Sequence, residues 1–362
     1  MRLPSMPFSR HSGPLREAAG GAAESVTVPR ARRLCRFRLA AGALLVCLLV
    51  AALPAAESAV GRSSASAYPM RITAYVANSG SRTVSLFDTR LERPAGAAQV
   101  GAGPTGVSAA PDGTMVYVAN GRSDSVTFLA TDGRSVLATV PVQKRPFAAV
   151  PTRDGKRVLV ANFGSDTVSV ISVGDRKVVA TTPVARLPHS IATIPGGLAY
   201  VTNNGANRVT VLNANGKQIT TIGVGDFPSG ISSSPNGEHV YVSNTGSGTI
   251  SVIDTDSNKV VATIPAGRAP LGNAVSPDGS RLYVADSAAD SLLVIDLSAR
   301  RVTGSVRVGV TPQGVAVTPD GQRVWVTNEA SSTVSVVQPA GPRLRKTLPT
   351  GPEPEGIAIT PR

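Results

Sequence analysis

Cysteine is almost missing from this sequence, and histidine nearly so. The two cysteines, Cys35 and Cys47, both fall in the first fifty residues of a 362-residue chain. That excludes a disulfide scaffold and a cysteine-ligated zinc centre in the body of the protein. His11, His189 and His239 are the only histidines, too few for a His-rich metal centre. Aromatics are scarce, with 7 Phe, 6 Tyr and 1 Trp, and only 16% of residues are charged. A disordered polyelectrolyte and a coiled coil are thereby excluded. The chain has no N-x-S/T sequon, no haem motif, no copper His/Cys set and no cofactor fingerprint. Neither a cofactor nor a metal is expected.

Glycine and proline are abundant, 36 and 28 residues. With so few aromatics they point to many short strands joined by turns. The formal net charge is +13, which suits anionic partners but does not fix a fold.

Residues 1–38 are basic, lack periodicity and read as a disordered N-terminal region. Residues 39–56, LAAGALLVCLLVAALPAA, carry no charge and follow Arg32, Arg33, Arg36 and Arg38. A basic n-region, an apolar h-region and small residues describe an export signal over 39–60, with cleavage after Ser58 or Gly61. The alternative is a retained membrane anchor, since the run is long enough to span. Cys47 stands inside the apolar run, not at its end, so lipidation there is disfavoured. Arg32-Arg33 lacks the flanks of twin-arginine export. The first 60 residues hold eight Arg and three Glu, leaving +8 of the net charge on the remainder. Residues 61–71 read as a linker. An extracellular or cell-surface location follows, with membrane contact only through an uncleaved 39–56.

The rest is a repeat. AYVANSGSRTVSLFD from Ala74 returns as VYVANGRSDSVTFL, VLVANFGSDTVSVI, AYVTNNGANRVTVL, VYVSNTGSGTISVID, LYVADSAADSLLVID and VWVTNEASSTVSVV. The marker polar residues are Asn78, Asn120, Asn162, Asn203, Asn244, Asp286 and Asn328, spaced 41 or 42 residues apart. Each unit offers four strand-like segments, the last after a proline and before a turn such as Asp112-Gly113 or Asn236-Gly237. Four antiparallel strands at a period near forty make a propeller blade. The fold expected over 72–362 is an all-β, seven-bladed propeller. The chain begins with a second strand and ends with a first one, Gly356–Thr360. The C-terminal strand should therefore complete the first blade.

These motifs, with TVSVID and SPDG, resemble the YVTN beta-propeller repeat proteins, secreted or surface-associated in bacteria and archaea. The resemblance covers residues 72–362. It implies the fold strongly and an activity weakly.

Groups present in every blade are structural. The marker Asn and the turn Asp read as turn hydrogen bonding. Tyr75, Tyr117, Leu159, Tyr200, Tyr241, Tyr283 and Trp325 read as packing between blades. Val100–Gly106 matches G-x-G-x-x-G but precedes a strand, so it is no phosphate loop. Asp254–Asn258 lacks the Gly and Glu of a calcium loop.

The irregular positions are more informative. After each proline stand Thr105, Phe147, His189, Ser229, Leu271, Gln313 and Glu355, expected at the channel mouth. Before the prolines stand Lys144, Arg145, Arg186 and Arg268, opposed by Asp226 and Glu353. Arg82, Arg122 and Arg208 are expected at the same end. The ligand-binding candidates are therefore Lys144, Arg145, Arg186, Arg268, His189, Gln313 and Glu355, in a basic rim. The competing reading is ordinary solvated charge.

The function expected is an exported, non-enzymatic binding module, presenting the channel mouth to an envelope polymer or protein partner. A monomer is expected. One relative type is similar and binds single-stranded DNA, which the resemblance extends to this chain as an alternative. Lactonase and streptogramin-lyase propellers imply another, with His189 and Glu355 as the weak catalytic candidates. A subunit of a redox or pilus-like complex has no support in the chain.

Overall fold

The structure is a computed structural model that describes residues 73–361. The expectations for residues 1–71 lie outside the described residues. The described chain forms twenty-eight strands, numbered here in chain order, and no helix.

Three strands open the first blade: β1 (Ala74–Asn78), β2 (Thr83–Asp88) and β3 (Arg93–Gln99). The second blade is complete in sequence: β4 (Pro104–Ala109), β5 (Met115–Asn120), β6 (Ser125–Ala130) and β7 (Val136–Pro141). The later inner strands are β8 (Pro146–Pro151), β12 (Pro188–Thr193), β16 (Pro228–Ser233), β20 (Pro270–Val275), β24 (Pro312–Val317) and β28 (Pro354–Ile359). Seven four-stranded antiparallel sheets result, and the first has the order β28-β1-β2-β3. The C-terminal strand thus closes the ring. Tyr75 pairs with Ala358, and the Thr360 amide donates to the Thr73 carbonyl at 2.8 Å.

Alternation sets the two faces of each strand. In β5, Tyr117 and Ala119 face one neighbouring blade while Val116 and Val118 face the other. Each hydrophobic cluster therefore joins two blades: Tyr75 and Leu86 pack with Val116 and Leu129. The repeated large residue is buried in all seven blades, including Leu159 and Trp325. Burying a side chain of that size contributes on the order of 2 kcal/mol.

Turn geometry refines the hairpin expectation. Asp112-Gly113 is a type I turn with only the glycine left-handed: φ is +70°, and the Gly113 amide donates to the Ala110 carbonyl. Asp112 instead accepts from the Thr114 amide and hydroxyl. In the fourth blade the turn is Gly196-Gly197, both left-handed, closing Ile194 onto Leu198. That turn is one residue shorter and accounts for one 41-residue spacing.

The seam between the seventh and first blades carries extra links. Phe87 meets Trp325 at 5.6 Å between ring centroids. Glu92, only 6% exposed, accepts from Arg323 at 2.6 Å and Arg345 at 3.1 Å. Burial alone would raise the Glu92 pKa. The two arginines outweigh it and hold the carboxyl below its usual range.

Candidate functional site

The inner strands begin two residues earlier than the turns and glycines suggest, at the proline itself. The Pro-x-Gly segment is a bulge. Pro104 pairs with Asn120 and the next pair is Val107 with Val118, so two residues oppose Ala119 alone. The same register shift recurs in the other six blades. A bulge re-aims a side chain. Here it turns the residue after each proline into the channel. Thr105, Phe147, His189, Ser229, Leu271, Gln313 and Glu355 all line one cavity of about 240 Å³.

Glycine at the next position lets the inner strands close up. A Cβ on Gly272 would stand 2.2 Å from the Gln313 carbonyl oxygen, and one on Gly230 2.1 Å from that of Leu271. Hydroxyls tie the ring further. The Thr105 hydroxyl donates to the Phe147 carbonyl at 2.9 Å, and Thr202 donates to that of Ser229 at 2.8 Å. The third and fourth blades carry Ala148 and Ser190 in place of the glycine. Those blades supply the bulky Phe147 and His189.

The mouth has two unlike halves. On one side Phe147 and His189 stack at 3.8 Å, with Phe163 6.1 Å from Phe147 and 6.3 Å from His189. Phe227, before the proline of the fifth blade, is 56% exposed. The His189 side chain is half-buried in the channel wall, and desolvation pushes its pKa down to about 4, against a backbone hydrogen bond at Ser229 that favours the charged form. At neutral pH it is an uncharged ring whose Nδ1 has no hydrogen-bond partner.

The other side is acidic. Burial raises the Glu355 pKa to about 7; the Ser79 hydrogen bond and Arg122 oppose this, while Glu329 and Glu353 add to it. Its Oε2 has no hydrogen-bond partner. Gln313 Nε2 donates to Glu329 Oε2. Glu353 meets Arg122 at 3.8 Å.

The seven sequence-derived ligand candidates therefore separate. His189, Gln313 and Glu355 line the cavity; Lys144, Arg145, Arg186 and Arg268 do not. Lys144 pairs with Asp124 at 2.7 Å, and the Arg145 guanidinium lies 5.3 Å above the Phe163 ring. Arg186 and Arg268 are exposed, as are Arg82, Arg122 and Arg208. Residues before the proline cannot reach inward because the bulge begins after them. His189 and Glu355 belong to the fourth and first blades. His239 lies at the opposite end, beside the Ser234 turn.

The marker residues behave as structural groups. Asn120 Nδ2 donates to the Ser125 and Thr127 hydroxyls, and Asp286 accepts the Arg268 and Ala269 amides. Sequence reasoning missed the residue after the marker. Its backbone amide donates to the carbonyl of the residue before the same blade's proline, as Phe163 does to Arg145. That places Phe163 and Glu329 against the mouth residues. Their departure from the small or polar Ser79, Gly121 and Ser287 at the same repeat position was the available signal.

Among the described residues no group of three or more His, Cys, Asp or Glu stands together as a metal site. A family model for the YNCE-like beta-propeller matches residues 197–323. With the seven-bladed ring, this agrees with a YVTN-type beta-propeller repeat protein. No curated protein matches the chain. Among solved structures, a protein of unknown function from Desulfotomaculum acetoxidans DSM 771 superposes with a TM-score of 0.71 at 18% identity, over 80% of this chain and 98% of that one. Kuenenia stuttgartiensis hydrazine synthase gives 0.66 at 21% identity, over 72% and 90%. A candidate 6-phosphogluconolactonase from Bacteroides uniformis ATCC 8492 gives 0.68 at 19% identity, over 79% and 99%. At these identities the likeness is one of fold.

Proposed function

We propose that the chain is an exported, non-enzymatic binding module whose ligand is a neutral polar ring, such as a sugar unit of an envelope polymer, held at the proline end of the channel. The observation that supports it is the split mouth. An aromatic wall of Phe147, His189 and Phe163 faces a polar wall of Glu355, Gln313 and Glu329. Such a cavity offers an apolar face for stacking and a few polar groups for orientation. Buried His189 Nδ1 and Glu355 Oε2 lack partners that a hydroxyl-bearing ligand would supply. A polyanion fits this cavity poorly, because three glutamates attend it and the arginines stand outside.

The test is binding of a neutral glycan fragment and of labelled single-stranded DNA to the 61–362 protein, at low and physiological salt. The glycan should bind with little salt dependence, and Phe147→Ala should weaken it about tenfold. DNA binding should vanish at physiological salt. DNA binding that persists there, and is lost when Arg145, Arg186 and Arg268 are neutralised together, would replace this reading with the nucleic-acid one.

One observation favours a lactonase-like alternative. A carboxyl with a pKa near 7 is suited to proton transfer at neutral pH. Turnover of lactones that Glu355→Gln abolishes, with the melting temperature unchanged, would establish it.

A further inference from the structure

The opposite end of the channel breaks the repeat at one residue. The position before the turn Asp or its equivalent is Pro111, Pro195, Pro235, Pro277, Pro319 and Pro361 in six blades, and Arg153 in the third. Arg153 is exposed, yet its guanidinium is tethered. Its Nε donates to the Thr193 carbonyl at 3.1 Å and its Nη2 to the Ser233 hydroxyl at 3.0 Å, so it crosses the fourth blade to reach the fifth. Ser233 in turn donates to the Thr193 carbonyl at 3.3 Å, which fixes the hydroxyl's lone pair toward the guanidinium.

The cation is partly desolvated, and burial lowers its pKa. No carboxylate forms an ion pair with it among the described residues. Asp154, its chain neighbour, is turned to the Thr152 hydroxyl and the Lys156 amide. Among the described residues, Arg153 is the only charged side chain lining a cavity of about 550 Å³ at this mouth. Aliphatic Val107, Val150, Ile191, Ile231, Val275 and Ile357 line the same cavity, with Ser108, Ser232 and Asn273 between them. An accessible guanidinium with no ion-pair partner is open to an incoming anion. With Nε and one Nη2 hydrogen engaged, the Nη1–Nη2 edge remains, and that edge matches the two oxygens of a carboxylate.

We propose that this mouth is a second binding site, for a small organic carboxylate whose apolar body lies along the aliphatic wall while its carboxylate takes the free edge of Arg153. Its charged group differs from those of the neutral-ring site at the proline end, although the two cavities share Val107, Val150, Ile191, Ile231 and Ile357. Either site can fail without the other.

The test uses hexanoate, acetate and the uncharged hexanamide as probes, read by amide shifts of Thr193 and Ser233 in the NMR spectrum of the 61–362 protein. Hexanoate should saturate these shifts, acetate should bind several-fold more weakly, and hexanamide should leave them unmoved. Arg153→Pro restores the residue of the other six blades, so it should fold, and hexanoate binding should fall at least about tenfold. Arg153→Gln serves as a second variant with the same expectation. Glu355→Gln should leave hexanoate binding intact. Shifts that do not respond to hexanoate, that respond equally to hexanamide, or that persist in Arg153→Pro would overturn the proposal. Acetate binding as tight as hexanoate would overturn the role of the aliphatic wall.

Discussion

The two ends of the channel are made by the same seven strands, yet they diverge in opposite ways. At the proline end every blade contributes a different side chain, from Thr105 to Glu355. At the hairpin end six blades contribute the same proline and one contributes Arg153. Both ends sit on one hydrogen-bonded frame, so the backbone does not explain the contrast. The inner strand fixes where a side chain points; the choice of side chain is free wherever packing does not claim it. Variation at a position the fold leaves free is where recognition can be built, and a single departure from a uniform ring is as informative as a ring of seven different residues.

The largest way to break the comparison is to remove the frame itself. Deleting 353–362 takes away β28, exposes the inner edge of β1 and strips Glu355 from the mouth. The ring should lose its cooperative thermal transition, because closure is what removes the free sheet edges. An unchanged melting curve would contradict closure by the C-terminal strand.

A smaller break tests the spacing of the inner strands. Gly272→Ala forces a Cβ toward the Gln313 carbonyl and should cost about 1–3 kcal/mol, seen as a lower urea midpoint with unchanged slope. Gly174→Ala, where nothing stands within 4 Å of the added Cβ, should shift stability by less than about 0.5 kcal/mol. Equal effects at both positions would deny the close approach.

The smallest test concerns charge at the proline end. Native Glu355 holds its proton up to about pH 7, whereas the unfolded chain releases it near the usual carboxylate value. The folded state therefore binds more protons between those limits, and stability contributed by this group is full at low pH and falls as pH rises through 7. Glu355→Gln should gain stability relative to the parent between pH 5 and pH 8, by about 1–3 kcal/mol. A difference that stays flat with pH would mean the carboxyl is solvated.

Much of this was legible in the sequence. The 41–42 residue period and the missing first strand before Ala74 determine the ring and its closure. The residue after each proline was placed at the mouth correctly, because the repeat keeps its register there. The arginines were read as a rim, and they stand outside the cavity. Chain adjacency puts Arg145, Arg186 and Arg268 near the mouth, but only the bulge decides which neighbour turns in, and that is a pairing property. Phe163 and Glu329 lie in the turns just after the marker residues of their blades, and their approach depends on a backbone bond to the segment before the proline. Arg153 was visible as a broken proline pattern, but its reach across a blade is a matter of side-chain geometry.

The most direct measurement is an NMR titration of the Glu355 carboxyl and the His189 ring in the intact 61–362 protein. A desolvated, ligand-ready mouth predicts midpoints near 7 for Glu355 and near 4 for His189. It also predicts that both move when a bound ring engages Glu355 Oε2 and His189 Nδ1. Midpoints at the ordinary values of both groups, unmoved by any ligand, would show the mouth to be a solvated opening and would contradict its role as the binding site.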